Sequence, residues 1–98
     1  MSMADRANDV HELRLYVAGT TPRSLRAVQN IKRICEAELP NHYHLEVVDV
    51  YKQPRRLAQD QVVAIPTLIK FAPGDVKRLI GDLSQEAQVR KGLGLIAA

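Results

Sequence analysis

The stretch Val62-Val63-Ala64-Ile65-Pro66-Thr67-Leu68-Ile69 decides the fold. It is a β-branched, apolar run that favours strand, cut by one proline. Proline has no N–H to give to a ladder, so Pro66 bars a regular central strand at its own position and the strand restarts at Thr67. Toward the C-terminus, Pro73-Gly74-Asp75 is a turn, because proline presets one backbone angle and glycine tolerates a positive one. Val76–Ile80 then returns antiparallel to Thr67–Phe71, which makes a hairpin. The following segment, Ser84–Ala98, puts Val89, Leu93 and Ile96 on one helical face. Asp82 with Gln85 has capping-box spacing and Ser84 is also an acceptable cap. Gly92 and Gly94 each lower helix propensity by roughly 1 kcal/mol relative to alanine, so this helix depends on tertiary packing.

Toward the N-terminus the pattern is stronger. Pro54 opens a short helix carrying Leu57 and Ala58. His44–Val50 reads as a strand, with Leu45, Val47 and Val48 apolar. Before it lies a helix that starts at the cap Thr21 and at Pro22, where a missing N–H is no loss. Its apolar stripe is Leu25, Val28, Ile31, Ile34, Cys35 and Leu39; Arg23, Arg26, Asn30 and Arg33 lie on another face, and Pro40-Asn41 ends it. From His11, Leu13, Leu15 and Val17 alternate with Glu12, Arg14 and Tyr16, the period of a strand. Strand, helix and strand within about 40 residues form a βαβ unit with parallel strands and a right-handed crossover. Residues 1–10 are polar and aperiodic, and read as a flexible terminus ahead of a single domain at 11–98.

The chain has 98 residues, 46% of them hydrophobic, which fits one compact core and favours self-association as a source of extra buried surface. No apolar run is long enough to cross a bilayer, and the start lacks the apolar stretch of a secretion signal, so the expected compartment is the cytoplasm. The net charge of +3 is too mild to demand nucleic acid. His11, His42 and His44 lack metal-site spacing, and no phosphate-binding glycine loop occurs. Neither metal nor cofactor is predicted.

The element order β-α-β-(α)-β-β-α, with a proline directly before the third strand, resembles the thioredoxin-like α/β fold, in which that proline is normally cis. Thiol redox chemistry needs two cysteines where the first strand meets the first helix. This chain has Gly19-Thr20-Thr21-Pro22-Arg23-Ser24 there, and its only cysteine, Cys35, lies on the apolar stripe. A small redox or transferase enzyme on this scaffold is the alternative weighed, and the missing second cysteine argues against it.

Several stretches together resemble the KaiB circadian-clock family. They are Leu15-Tyr16-Val17-Ala18-Gly19 with Thr20-Thr21-Pro22 and Ser24; Val48-Asp49-Val50 with Pro54; Ala64-Ile65-Pro66-Thr67-Leu68; and Ile80-Gly81-Asp82-Leu83-Ser84. The resemblance implies a non-enzymatic protein that binds the N-terminal ATPase ring of a hexameric KaiC-type kinase, competes there with the thioredoxin-like domain of a clock histidine kinase, and shifts the kinase's phosphorylation state. It also implies two folds: a binding-competent thioredoxin-like monomer, and a ground state, often a dimer or tetramer, that keeps residues 11–50 and rearranges 51–96. The prolines at 54, 66 and 73 and the glycines at 74, 81, 92 and 94 fit a loosely specified second half. The sequence ends Gly92-Leu93-Gly94-Leu95-Ile96-Ala97-Ala98 where cyanobacterial relatives carry an acidic tail, which speaks against KaiA as a further partner.

On this reading the partner-binding candidates are Arg23, Arg26 and Arg33 on the first helix, Arg55 and Arg56 in the basic pair, and Lys70, Lys77 and Arg78 flanking the hairpin. Each also has a plain reading as a solvated charge or as protection of an edge strand. Pro66, Pro73, Gly81 and Asp82 are the fold-switch candidates, and the resemblance assigns the Gly81-Asp82 segment to the balance between folds. Tyr16, on the polar side of the first strand, is the oligomer-interface candidate.

Overall fold

A computed structural model describes residues 10–95. Four strands, β1 (His11–Val17), β2 (Tyr43–Asp49), β3 (Thr67–Ala72) and β4 (Lys77–Ile80), form one sheet in the order β2-β1-β3-β4. β1 and β2 run parallel, with Leu13 opposite Leu45 and Leu15 opposite Val47. β3 runs antiparallel to β1 and to β4. The helices are α1 (Pro22–Glu38), α2 (Arg55–Gln59) and α3 (Glu86–Gly92). This is the thioredoxin-like order read from the sequence, and the Ile65-Pro66 peptide is cis, as is Ala72-Pro73.

Alternation along β1 and β3 builds two cores, one on each face of the sheet. On one face Leu13, Leu15, Val17 and Leu68 meet Ala27, Ile31, Ile34 and Cys35 of α1, together with Leu83, Val89 and Leu93 around α3. On the other face Tyr16, Val48, Val50 and Ile69 pack with Leu57, Val62, Ile65 and Phe71. α1 starts as its sequence demands: Pro22 takes the first turn, and the Thr21 hydroxyl oxygen accepts from the Ser24 amide. His11 ties β1 to the end of α3, its Nε2 lying 2.7 Å from the Leu93 carbonyl oxygen.

Four expectations change. Tyr16 is not on a polar face: its side chain is fully buried, because β1 is a central strand covered on both sides. Leu25 leaves the α1 stripe and is exposed, while Ser24 and Ala27 turn inward. α3 starts only at Glu86 and neither Asp82 nor Ser84 caps it, since the Asp82 carboxylate accepts from the Ser84 amide in a turn of its own. Strand β4 begins at Lys77, leaving Val76 in the turn. The N-terminal residues 1–9 and the Ile96 position lie outside the described residues.

Candidate partner-binding face

β4 is an edge strand, and the exposed Val63, Val76 and Ile80 lie on it or beside it with Lys77 and Arg78. Gly81 N–H donates to the Pro66 carbonyl at 2.9 Å. In an antiparallel ladder, hydrogen-bonded pairs recur every second residue, so Leu79 and Lys77 turn their backbone groups toward β3. Arg78 and Ile80 turn theirs outward. A hollow of about 420 Å3 lies against α3 and is lined by Arg23, Leu79, Gly81, Gln85 and Gln88 among others. A smaller one of about 180 Å3 lies between Ile80 and the Gln61–Val63 loop. Arg78 and Ile80 border both. Val63 is 92% exposed and Ile80 66%, and both border the smaller hollow.

The basic candidates divide sharply. Arg26 donates to the Asp82 carboxylate at 3.1 Å and Arg33 to that of Glu86 at 3.3 Å, while Asn30 donates to the Asp82 carbonyl. These α1 side chains tie to the segment after β4 through contacts in which Arg26 and Arg33 stay half exposed. Arg23 and Lys77 form no ion pair among the described residues. Arg78 bonds only the carbonyl oxygens of Asp60 and Gln61. Lys70 is buried, and its ammonium donates to the Pro73 carbonyl, which braces the hairpin turn from within; burial holds its pKa below the usual lysine value. Lys70 therefore is not a surface charge. Arg55 is exposed on α2.

A second group was not legible as a unit. Arg14 donates to Glu46 at 2.8 Å and to Asp60 at 2.7 Å, and lies 4.7 Å over the Phe71 ring. Arg56 reaches Glu46 through both guanidinium nitrogens, at 2.5 and 2.9 Å. The Tyr16 hydroxyl, with one proton to give, sits 2.5 Å from the Asp60 carboxylate and 2.9 Å from the Arg56 carbonyl. The Arg56 and Arg14 guanidiniums hold the Glu46 carboxyl at about 2, well below the usual range. The network fastens α2 to the sheet. Its one available signal was the parallel pairing of β1 with β2, which sets Arg14 directly opposite Glu46. Arg56 thus has an internal structural partner.

No reactive group stands where thioredoxins react. The start of α1 presents Thr21 and Ser24 hydroxyls bonded to each other, and Cys35 is buried with its thiol pushed up to about 12 by desolvation. Among the described residues no group of three metal-ligating side chains comes together. No helix there is long and apolar enough to cross a membrane.

The fold defines a thioredoxin-like domain without the thiol pair at the start of α1. A family model described as the KaiB domain matches residues 14–95, and the chain belongs to the KaiB family. It is 47% identical over 90 residues to the circadian clock oscillator protein KaiB of Prochlorococcus marinus subsp. pastoris, covering 92% of this chain and 84% of that one. It is 42% identical to the circadian clock protein KaiB3 of a Synechocystis species, covering 86% and 82%. Among solved structures, the N-terminal domain of Synechococcus elongatus SasA superposes with a TM-score of 0.71 at 31% identity, covering 92% of this chain and 89% of that domain. The mitochondrial thioredoxin 3 of Saccharomyces cerevisiae matches at 0.71 and 15% identity, covering 94% and 85%, which speaks to fold alone.

Proposed function

We propose that this chain is a cytoplasmic, non-enzymatic regulator that docks on the N-terminal ATPase ring of a KaiC-type kinase and changes its phosphorylation state. Membership of the KaiB family supports the reading most directly. The likeness to the SasA N-terminal domain, at 31% identity, supports competition with a clock histidine kinase for that ring. Of the sequence candidates, Arg23, Arg55, Lys77 and Arg78 have no carboxylate partner among the described residues, and Arg23 and Arg78 line the hollows that flank β4.

The second half, residues 51–96, is the part proposed to rearrange, with 11–50 kept. Two of its joints support this. Gly81 has φ 114°, a backbone state that L side chains rarely adopt. Asp82 is held to α1 only through exposed or half-buried polar contacts. Pro66 and Pro73 bound β3 on either side. KaiA is not included among the proposed partners, and a dimer or tetramer belongs to the rearranged state.

Size-exclusion chromatography with the host's KaiC-type ATPase, with and without nucleotide, tests the reading. Co-elution that an excess of the SasA-type domain reverses is the expected result. A chain that stays separate from the ATPase under every nucleotide condition, and after long incubation, overturns it.

A further inference from the structure

We infer that the free edge of β4 takes an extended segment of a partner protein, added as a fifth strand, whose side chains alternate between apolar and acidic. The inference rests on the proposed reading of this chain as a protein-binding module and names the form of the contact. Three independent observations on β4 agree. Its outward N–H and C=O groups at Arg78 and Ile80 carry no partner strand among the described residues, and an unpaired edge is a template for another chain.

The two hollows also lie on either side of the same strand, the larger lined by Leu79, Leu83 and Val89 of the first core and the smaller by Val62, which packs against the second. An added strand sends successive side chains to opposite faces, so its neighbours would enter the two hollows in turn. The smaller one is walled by Val62, Val63 and Ile80 together with Gln61, Thr67 and Arg78, and of its apolar walls Val63 and Ile80 are left in water. The last observation is charge. Arg23, Lys77 and Arg78 carry no carboxylate partner among the described residues, and Asp82, which lines the larger hollow with Arg23 and Arg78, is already bonded to Arg26. An acidic side chain satisfies these cations, whereas a basic one is repelled. β4 is kept from closing on a second copy of itself by that same positive row, as edge lysines and arginines commonly do.

The test uses the full-length, nitrogen-15-labelled chain and two synthetic decapeptides, one alternating Val or Ile with Asp or Glu, the other with lysine in place of each acid. Hydrogen exchange of the Arg78 and Ile80 amides is read by NMR, free and saturated with each peptide, and then in the presence of the KaiC-type ATPase. The acidic peptide should slow both amides by at least roughly tenfold and the lysine peptide should not. Ile80→Pro removes one outward donor at an edge position where proline is tolerated, and should weaken the acidic peptide by roughly tenfold, the worth of about one hydrogen bond. Ile80→Val keeps the donor and should bind as the parent. Equal protection by both peptides, unchanged exchange at saturation, or full binding by Ile80→Pro overturns the inference, as does protection that appears with rising concentration of the chain alone. Binding of the ATPase with Arg78 and Ile80 exchanging as in the free chain overturns the strand addition and leaves the proposed function standing. Absence of ATPase binding beside a positive peptide result does the reverse.

Discussion

The Tyr16 hydroxyl lies 2.5 Å from Oδ2 of Asp60, so a fully buried phenol on the central strand is tied to the residue that ends α2. Its place in the second core means that Tyr16 serves the interior of one chain. Tyr16→Phe keeps the ring and removes the donor to a charged acceptor, at a cost of about 1.5 kcal/mol, or a fall in melting temperature of roughly 6–12 °C for a domain this small. Thermal unfolding followed by circular dichroism checks this. The oligomeric state of the variant should match the parent; a changed association state would restore Tyr16 as an interface residue.

The Arg14–Glu46–Arg56 network makes stability sensitive to acid. Glu46 has its carboxyl held at about 2 against an ordinary 4.5, chiefly by the Arg56 guanidinium and then by Arg14. A carboxyl depressed on folding contributes stability that is complete above its unfolded pKa and fades as pH falls through the folded one. Urea midpoints should therefore drop between about pH 4.5 and pH 2, and Glu46→Gln should be less stable at pH 7 yet flatter across that acid range. An unchanged slope in Glu46→Gln would show that other carboxylates carry the acid sensitivity.

The β-α-β half was legible because each local signal agreed with the next: the Thr21-Pro22 start, the 3.6-residue stripe and the alternation in β1 all specify the same packing. β3 and its hairpin were legible from Pro66 and Pro73-Gly74. What failed was knowledge of what covers each surface. Alternation assigns Tyr16 and Leu15 to opposite faces, but only the tertiary order β2-β1-β3 reveals that both faces are covered. Lys70 looked like a surface charge for the same reason, since nothing local indicates that its ammonium folds back onto the Pro73 carbonyl. The division of the arginines had no local signal either, because the acids that claim Arg26 and Arg33 are 56 and 53 residues away.

Cys35 offers a probe of the half expected to persist. Buried in the α1 core, its thiol is pushed up to about 12 by desolvation, so almost no thiolate exists at neutral pH. A disulfide reagent such as Ellman's should leave the native chain unmodified at pH 8 and label one thiol per chain once it is unfolded in guanidinium. If 11–50 keeps its packing when the second half rearranges, the label should stay excluded in both states. Rapid native-state labelling would mean that α1 leaves its core.

If residues 51–96 rearrange as proposed, a side chain at Gly81 should bear on the balance between the two arrangements. At φ 114° a side chain is strained whatever the space, and the space itself is open: among the described residues an added Cβ meets just the Arg23 guanidinium, at 3.9 Å. The cost of Gly81→Ala thus falls on backbone conformation, at about 1–2 kcal/mol against the thioredoxin-like arrangement. Because an apparent affinity scales with the competent fraction, ATPase binding should weaken by up to roughly 5–30-fold, the full factor being reached where the thioredoxin-like arrangement is already the minor one. Direct damage to the β4 face would weaken binding too, so the free chain has to be measured as well. NMR spectra of Gly81→Ala should move or double the amides of 51–95 while those of 11–50 stay in place. Weakened binding with one unaltered set of signals would assign Gly81 to the interface alone, and undiminished binding would remove it from both roles.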